Sequence, residues 1–202
     1  MKGQITRETK LGDWIYTTVQ QDDIKTIVEI GTGSGLGSTK CVTDAMQDDM
    51  SKEFWTVESN SENWNLASKN IPNRPNIHLL YGHVTAEVID YQKMAGSLFR
   101  GYNHSQCASW LARDLEEYKT GRNVINLLPT NIDLLILDGG VFTSYAEFLA
   151  LKDLSEYIVL DDTMDIKNHD ARQYILTNFA QYDILFDEKA DRNGYMVVRR
   201  LW

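Results

Sequence analysis

Glycine and carboxylate positions carry most of the chemistry legible in this chain. Gly31, Gly33, Gly35 and Gly37 alternate within IVEIGTGSGLGST (Ile27 to Thr39), directly behind an apolar run that contains Glu29. Glycine there permits positive φ and lets a ligand approach the backbone closely. A helix starting just behind directs its free N–H groups and the positive end of its dipole at that ligand. Such a loop suits a dinucleotide pyrophosphate or the carboxylate of an amino acid. Spacing separates the two, because G-x-G-x-x-G counted from Gly31 or Gly33 demands glycine where Leu36 and Ser38 stand. The pattern G-x-x-x-x-G-K-[ST] is missing as well. NAD and ATP are disfavoured.

Carboxylates end three further apolar runs: Glu58 in EFWTVES, Asp138 in IDLLILDG, and Asp161 with Asp162 in EYIVLDD. On neighbouring parallel strands, Asp138, Asp161 and Asp162 converge and repel one another unless a cation or a shared proton intervenes. Hard oxygen ligands of this kind suit Mg²⁺ or Ca²⁺. The plainer alternatives are that Asp138 caps the next helix or contacts a cofactor, and that Asp161 and Asp162 cap the helix behind them. His104 and His169 are further candidate bases that no motif places. Cys41 and Cys107 form no Cys-x-x-Cys or Cys/His cluster, and read as small buried hydrophobes in a reducing compartment.

The elements that hold these residues follow from periodicity. Lys25–Gly31, Glu53–Ser59, Asn76–Gly82, Ile132–Gly139 and Glu156–Asp162 are near-continuous apolar runs, as strands of a parallel sheet covered on both faces should be. Helical patterns lie between them at Ser38–Asp49, Ser61–Asn70, Thr143–Lys152 and Asp170–Ala180. This alternation predicts an α/β doubly wound fold. The chain ends differently: Tyr182–Phe186 and Tyr195–Leu201 flank the turn signal DRNG, which predicts a hairpin with an antiparallel last strand. Residues 1–23 read as one or two lead-in helices, through Ile5–Gln21.

The stretch 83–131 is far longer than a crossover needs and reads as helical over Ser105–Tyr118. It either covers the sheet or caps a pocket at the strand ends, where Tyr81, Phe99, Tyr102, Trp110 and Phe142 could line it. With no repeat or linker, residues 1–202 form a single domain. Lys and Arg total 20 against 29 Asp and Glu, a net charge of −9, which argues against a nucleic-acid partner. No apolar stretch approaches the ~20 residues of a membrane span, and no secretory signal is visible, so a cytoplasmic protein is expected.

Glu29, Gly31, Gly33 and Gly35 together spell E-x-G-x-G-x-G. This resembles the first motif of the class I S-adenosylmethionine (SAM)-dependent methyltransferases, and the resemblance extends over Ile24 to Leu201. It implies a Rossmann-like, mostly parallel seven-stranded sheet closed by a C-terminal antiparallel hairpin. It implies SAM as cofactor, held by Glu29, Gly31, Thr32, Gly33, Ser34 and Gly35 of the loop. Glu58 and Ser59 then fall at the ribose, Gly82 and His83 at the adenine edge, with Asp138 also beside the cofactor. The order of acids also resembles the metal-dependent small-molecule O-methyltransferases of the catechol and macrocin types. That likeness implies Asp138, Asp161 and Asp162 as ligands of Mg²⁺, which orients and acidifies an acceptor hydroxyl. Asp138 and Asp162 are the candidate catalytic residues. Two features depart from those types. Gly140 stands where the macrocin type carries a second acid, and Val141, Phe142, Thr143 and Ser144 include no counterpart of the catechol-type lysine. The resulting expectation is methyl transfer to a small-molecule or glycan-type acceptor, at oxygen; the alternative is a SAM-binding protein without activity. A homodimer is left open.

Overall fold

The computed structural model describes residues 5–85 and 104–201. Five parallel strands carry the apolar runs: β1 (Thr26–Ile30), β2 (Glu53–Glu58), β3 (Ile77–Tyr81), β4 (Ile132–Leu137) and β5 (Ser155–Asp161). Two more, β6 (Tyr182–Glu188) and β7 (Tyr195–Arg200), form the C-terminal hairpin, with β7 antiparallel to β5. The order across the seven-stranded sheet is β3-β2-β1-β4-β5-β7-β6. The described α-helices are α1 (Lys10–Val19), α2 (Ser38–Met46), α3 (Ser61–Asn70), α4 (His104–Thr120), α5 (Ser144–Leu151) and α6 (His169–Thr177), with short 3-10 turns at Ile125–Leu127, Lys152–Leu154 and Phe179–Gln181. The expected Rossmann-like architecture is the one observed.

Period-two alternation within the strands divides the core between the two faces of the sheet. Leu134 and Ile136 of β4 pack with Leu11 and Ile15 of α1 and Val42 and Met46 of α2. Leu135 and Leu137 pack on the other side with Phe148 and Leu151 of α5 and Ala171 and Ile175 of α6. Order reverses between β1 and β4, the switch point at which doubly wound sheets open a crevice. There Ile30 pairs with Leu137, so the residues that follow, Gly31 and Asp138, leave the sheet together.

Among the described residues the lead-in region holds one α-helix, α1; Thr9 caps it by accepting from Gly12 N at 3.1 Å. Between β6 and β7 the chain takes six residues, 189–194, which include the DRNG turn signal. Its left-handed positions are Arg192 (φ +55°) and Gly194 (φ +76°), not Asn193. The loop docks inward, since Met164 N and Thr163 N donate to the carbonyls of Asn193 and Gly194. Phe99, Tyr102 and the side chain of His104 lie outside the described residues. No described helix is long and apolar enough to cross a membrane.

Candidate active site

The glycine loop leaves β1 into a pocket beyond the carboxyl ends of β1, β2, β4 and β5. A Cβ on Gly31 (φ +97°) would lie 2.3 Å from the Asp138 carbonyl oxygen, so this glycine lets β1 and β4 run on side by side. Gly33 (φ +57°) differs, for nothing lies within 4 Å of where its Cβ would stand. Its bare face opens into the pocket, beside Thr32 and Ser34. Gly35 does not line the pocket; its turn closes against Ile71 of the α3 terminus. Gly37 and Ser38 line it instead, which brings the N-terminus of α2 to the cavity.

Glu29 lies beneath the loop, fully buried and outside the pocket lining. Its carboxylate accepts from Ser38 Oγ at 2.5 Å, Thr39 Oγ1 at 2.6 Å and Thr56 Oγ1 at 2.6 Å. Burial pushes this carboxyl up to about 7 against the pull of the three hydroxyls. Glu29 thus fastens the start of α2 to β1 and β2, and shapes the loop from below.

Glu58, at the end of β2, accepts from Gly33 N at 2.6 Å and Asn60 N at 2.8 Å. Burial pushes it too up to about 7, opposed by these amides. Ser59 Oγ and Asn60 Nδ2 both donate to Glu117, at 2.6 and 2.9 Å. That links the β2 end to α4, which lays Arg113, Asp114, Glu117 and Tyr118 along the pocket. Gly82 is bare because a Cβ would lie 2.2 Å from the Arg122 carbonyl oxygen. His83 is buried in the lining and stacked on Tyr118 (4.1 Å between centroids, 23°). Among the described residues its Nδ1 has no partner. Tyr81, Trp110 and Phe142 do not line the pocket. Trp110 and Phe142 pack with Cys107, Leu111 and Ile166, fixing α4 to the loops behind β4 and β5; Tyr81 packs beside Trp64.

Asp138, Asp161 and Asp162 do converge, each offering an oxygen within 4.8 Å of the others. Two cations from elsewhere in the chain already sit among them. Lys167 Nζ bonds both Asp138 Oδ1 and Asp162 Oδ2, the latter at 2.9 Å, and Arg192 donates to Asp161 Oδ2 at 2.6 Å. Asp162, in a left-handed conformation (φ +55°), also accepts from Asn193 Nδ2 at 3.1 Å. Burial, then the charges of Asp138 and Asp162, push Asp161 up to about 8. Burial alone would lower the Lys167 ammonium, but the three carboxylates outweigh it and hold it charged. Asn168, buried, donates from Nδ2 to the carbonyls of Leu137 and Asp161 and so fixes the loop that carries Lys167. As a ligand set for Mg²⁺ the trio does not fit in this arrangement, because an ammonium takes two of its carboxylates and a guanidinium the third. His169 heads α6 outside the pocket lining.

Both groups missing from their expected positions have counterparts arriving from other elements. A Cβ on Gly140 would stand 3.1 Å from Asp114 Oδ2, so an acid from α4 fills the space beside that glycine. Asp114 accepts from Phe142 N at 2.9 Å, and burial raises it. Buried Glu147 of α5 stands next to Gly139 and is pushed up to about 7, again by burial. Lysine arrives as Lys167, from the loop behind β5. No local pattern marks these residues: Lys167 meets Asp138 across 29 positions and Arg192 meets Asp161 across 31.

Neither a protein-family model nor a curated protein sequence matches the chain. Solved structures do. A provisionally assigned caffeoyl-CoA O-methyltransferase from Staphylococcus aureus superposes with TM-score 0.61 at 13% identity, covering 98% of this chain and 86% of that one. The SAH-bound Podospora anserina methyltransferase PaMTH1 superposes with TM-score 0.58 at 16% identity, covering 95% and 78%. The 23S rRNA methyltransferase ErmE superposes with TM-score 0.51 at 15% identity, covering 98% and 70%. Acceptors named for these proteins differ in kind, and what they share with this chain is architecture. The chain has the fold of the class I SAM-dependent methyltransferases.

Proposed function

We propose that the protein is a SAM-dependent methyltransferase acting at oxygen on a small-molecule or glycan-type acceptor. One observation carries this reading: Glu58 and Gly33 meet at 2.6 Å across the ends of β2 and β1, beneath an open face of the loop. That arrangement sets a carboxylate for ribose hydroxyls beside bare backbone for a methionine tail. Each Glu58 oxygen uses one lone pair on a backbone amide and keeps another for a hydroxyl. The N-terminus of α2, at Gly37 and Ser38, faces the tail's carboxylate. His83, with its unpartnered Nδ1, and Gly82 are assigned to the adenine edge.

Seven carboxyl groups line the cavity (Glu58, Asp114, Glu117, Asp138, Glu147, Asp161 and Asp162), against two arginines, Arg113 and Arg192. Such a lining favours a cationic ligand over a polyphosphate. When bound, SAM supplies an electrophilic methyl group on a sulfonium, so the protein's part is alignment and exclusion of water. Asp138 is bonded to Lys167 through Oδ1 and is assigned to take the acceptor's proton on Oδ2. Asp162 supports the ammonium from the other side. The acidic cavity and the net charge of −9 favour a small acceptor over a polyanionic one.

Calorimetric titration with SAM, S-adenosylhomocysteine and NAD tests the cofactor, and methyl transfer to a pooled acceptor library, with EDTA and with Mg²⁺, tests the rest. Binding of the first two and not of NAD is expected. Preference for NAD, or no binding of SAM, overturns the reading.

A further inference from the structure

We propose that Lys167 takes the place of a divalent cation in this site, making the acceptor end a metal-free centre with its own fixed positive charge. Three carboxylates at the ends of β4 and β5 are the arrangement that normally demands a cation. Here the chain answers that demand itself. Lys167 Nζ lies between Asp138 and Asp162, bonded to both, and its side chain is only 11% exposed. Arg192 engages Asp161, the most buried of the three. Both cations are held from behind: Lys167 by the loop that Asn168 ties to β4 and β5, Arg192 by the hairpin loop docked on Thr163 and Met164. Two cationic side chains thus stand among the three acids, and a divalent ion could enter only by expelling the ammonium. Two of the three ammonium N–H groups are taken by Asp138 and Asp162, which line the pocket, so an acceptor oxygen reaching this end meets the field of a fixed point charge held by those two acids, one that attracts a developing oxyanion without metal. The inference rests on the methyltransferase reading only for the use made of that charge.

Mn²⁺ titration followed by electron paramagnetic resonance tests the placement directly, on the full chain and with neither cofactor nor acceptor present. The parent is expected to leave added Mn²⁺ free in solution. Lys167→Ala, which uncovers Asp138 and Asp162, is expected to bind Mn²⁺ at least tenfold more tightly, and Lys167→Arg to behave as the parent does. Lys167→Met, of similar length and uncharged, serves the same purpose as the alanine change should that variant fold poorly. Stoichiometric uptake of Mn²⁺ by the parent, abolished by Asp161→Asn, overturns the proposal; so does Mn²⁺ indifference in folded Lys167→Ala and Lys167→Met. Since SAM takes no part in this readout, its failure is distinct from a failure of cofactor binding.

Discussion

Individual glycines here answer to different neighbours, and substitution separates them. Gly31 faces backbone, for a Cβ there would stand 2.3 Å from the Asp138 carbonyl oxygen, whereas Gly33 faces open space. Gly31→Ala is therefore expected to lower thermal stability strongly. Gly33→Val is expected to leave a folded protein, strained only by its positive φ, that no longer binds SAM in calorimetry, because the new side chain fills the ligand's space. Glu58→Ala is expected to weaken SAM by roughly 1.5–3 kcal/mol, the worth of hydrogen bonds to a charged group. Unchanged affinity in that variant would remove Glu58 from the ribose.

Elements differ in how openly the sequence announces them. The central strands were legible because both of their faces are apolar: β4 runs from Ile132 to Leu137, two residues short of the expected Ile132–Gly139, and its alternate leucines serve the two cores. The glycine loop and Glu58 were legible because their signals are local in sequence. Glu29 was legible as part of that motif, yet its position under the loop follows from Ser38, Thr39 and Thr56, which no spacing rule connects to it. Lys167, Arg192 and Asp114 were not legible at all, since only the closed sheet brings them to the acids they meet. Packing at this scale is testable: Phe148 of α5 is fully buried between the sheet and Tyr174. Phe148→Ala is expected to cost about 3–5 kcal/mol in denaturant unfolding, through lost burial and the cavity left behind.

For the molecule as a whole, burial of acids sets the response to pH. Glu29, Glu58 and Glu147 are each raised to about 7 and Asp161 to about 8, chiefly by burial, while in an unfolded chain such groups titrate near ~4. Between those values the folded protein keeps protons that the unfolded chain has released, so stability falls as pH rises through the window and levels off above it. Thermal scans are expected to show a higher midpoint at about pH 5.5 than at about pH 8. SAM affinity is expected to run the other way across that range, because the carboxylate form of Glu58 is the better acceptor for ribose hydroxyls. A calorimetric series in pH checks both signs on one protein.

Arg192 belongs to the loop joining the final two strands, yet its guanidinium sits on Asp161, at the heart of the acid cluster. A nascent chain leaving the ribosome exposes the glycine loop, Glu58 and all three clustered aspartates well before that arginine emerges. In the finished sheet β7 lies between β5 and β6, so the hairpin that carries Arg192 reaches the acid cluster through β7's pairing with β5. A product that stops short of Arg192 carries Asp161 without its counter-charge and β5 without its antiparallel neighbour.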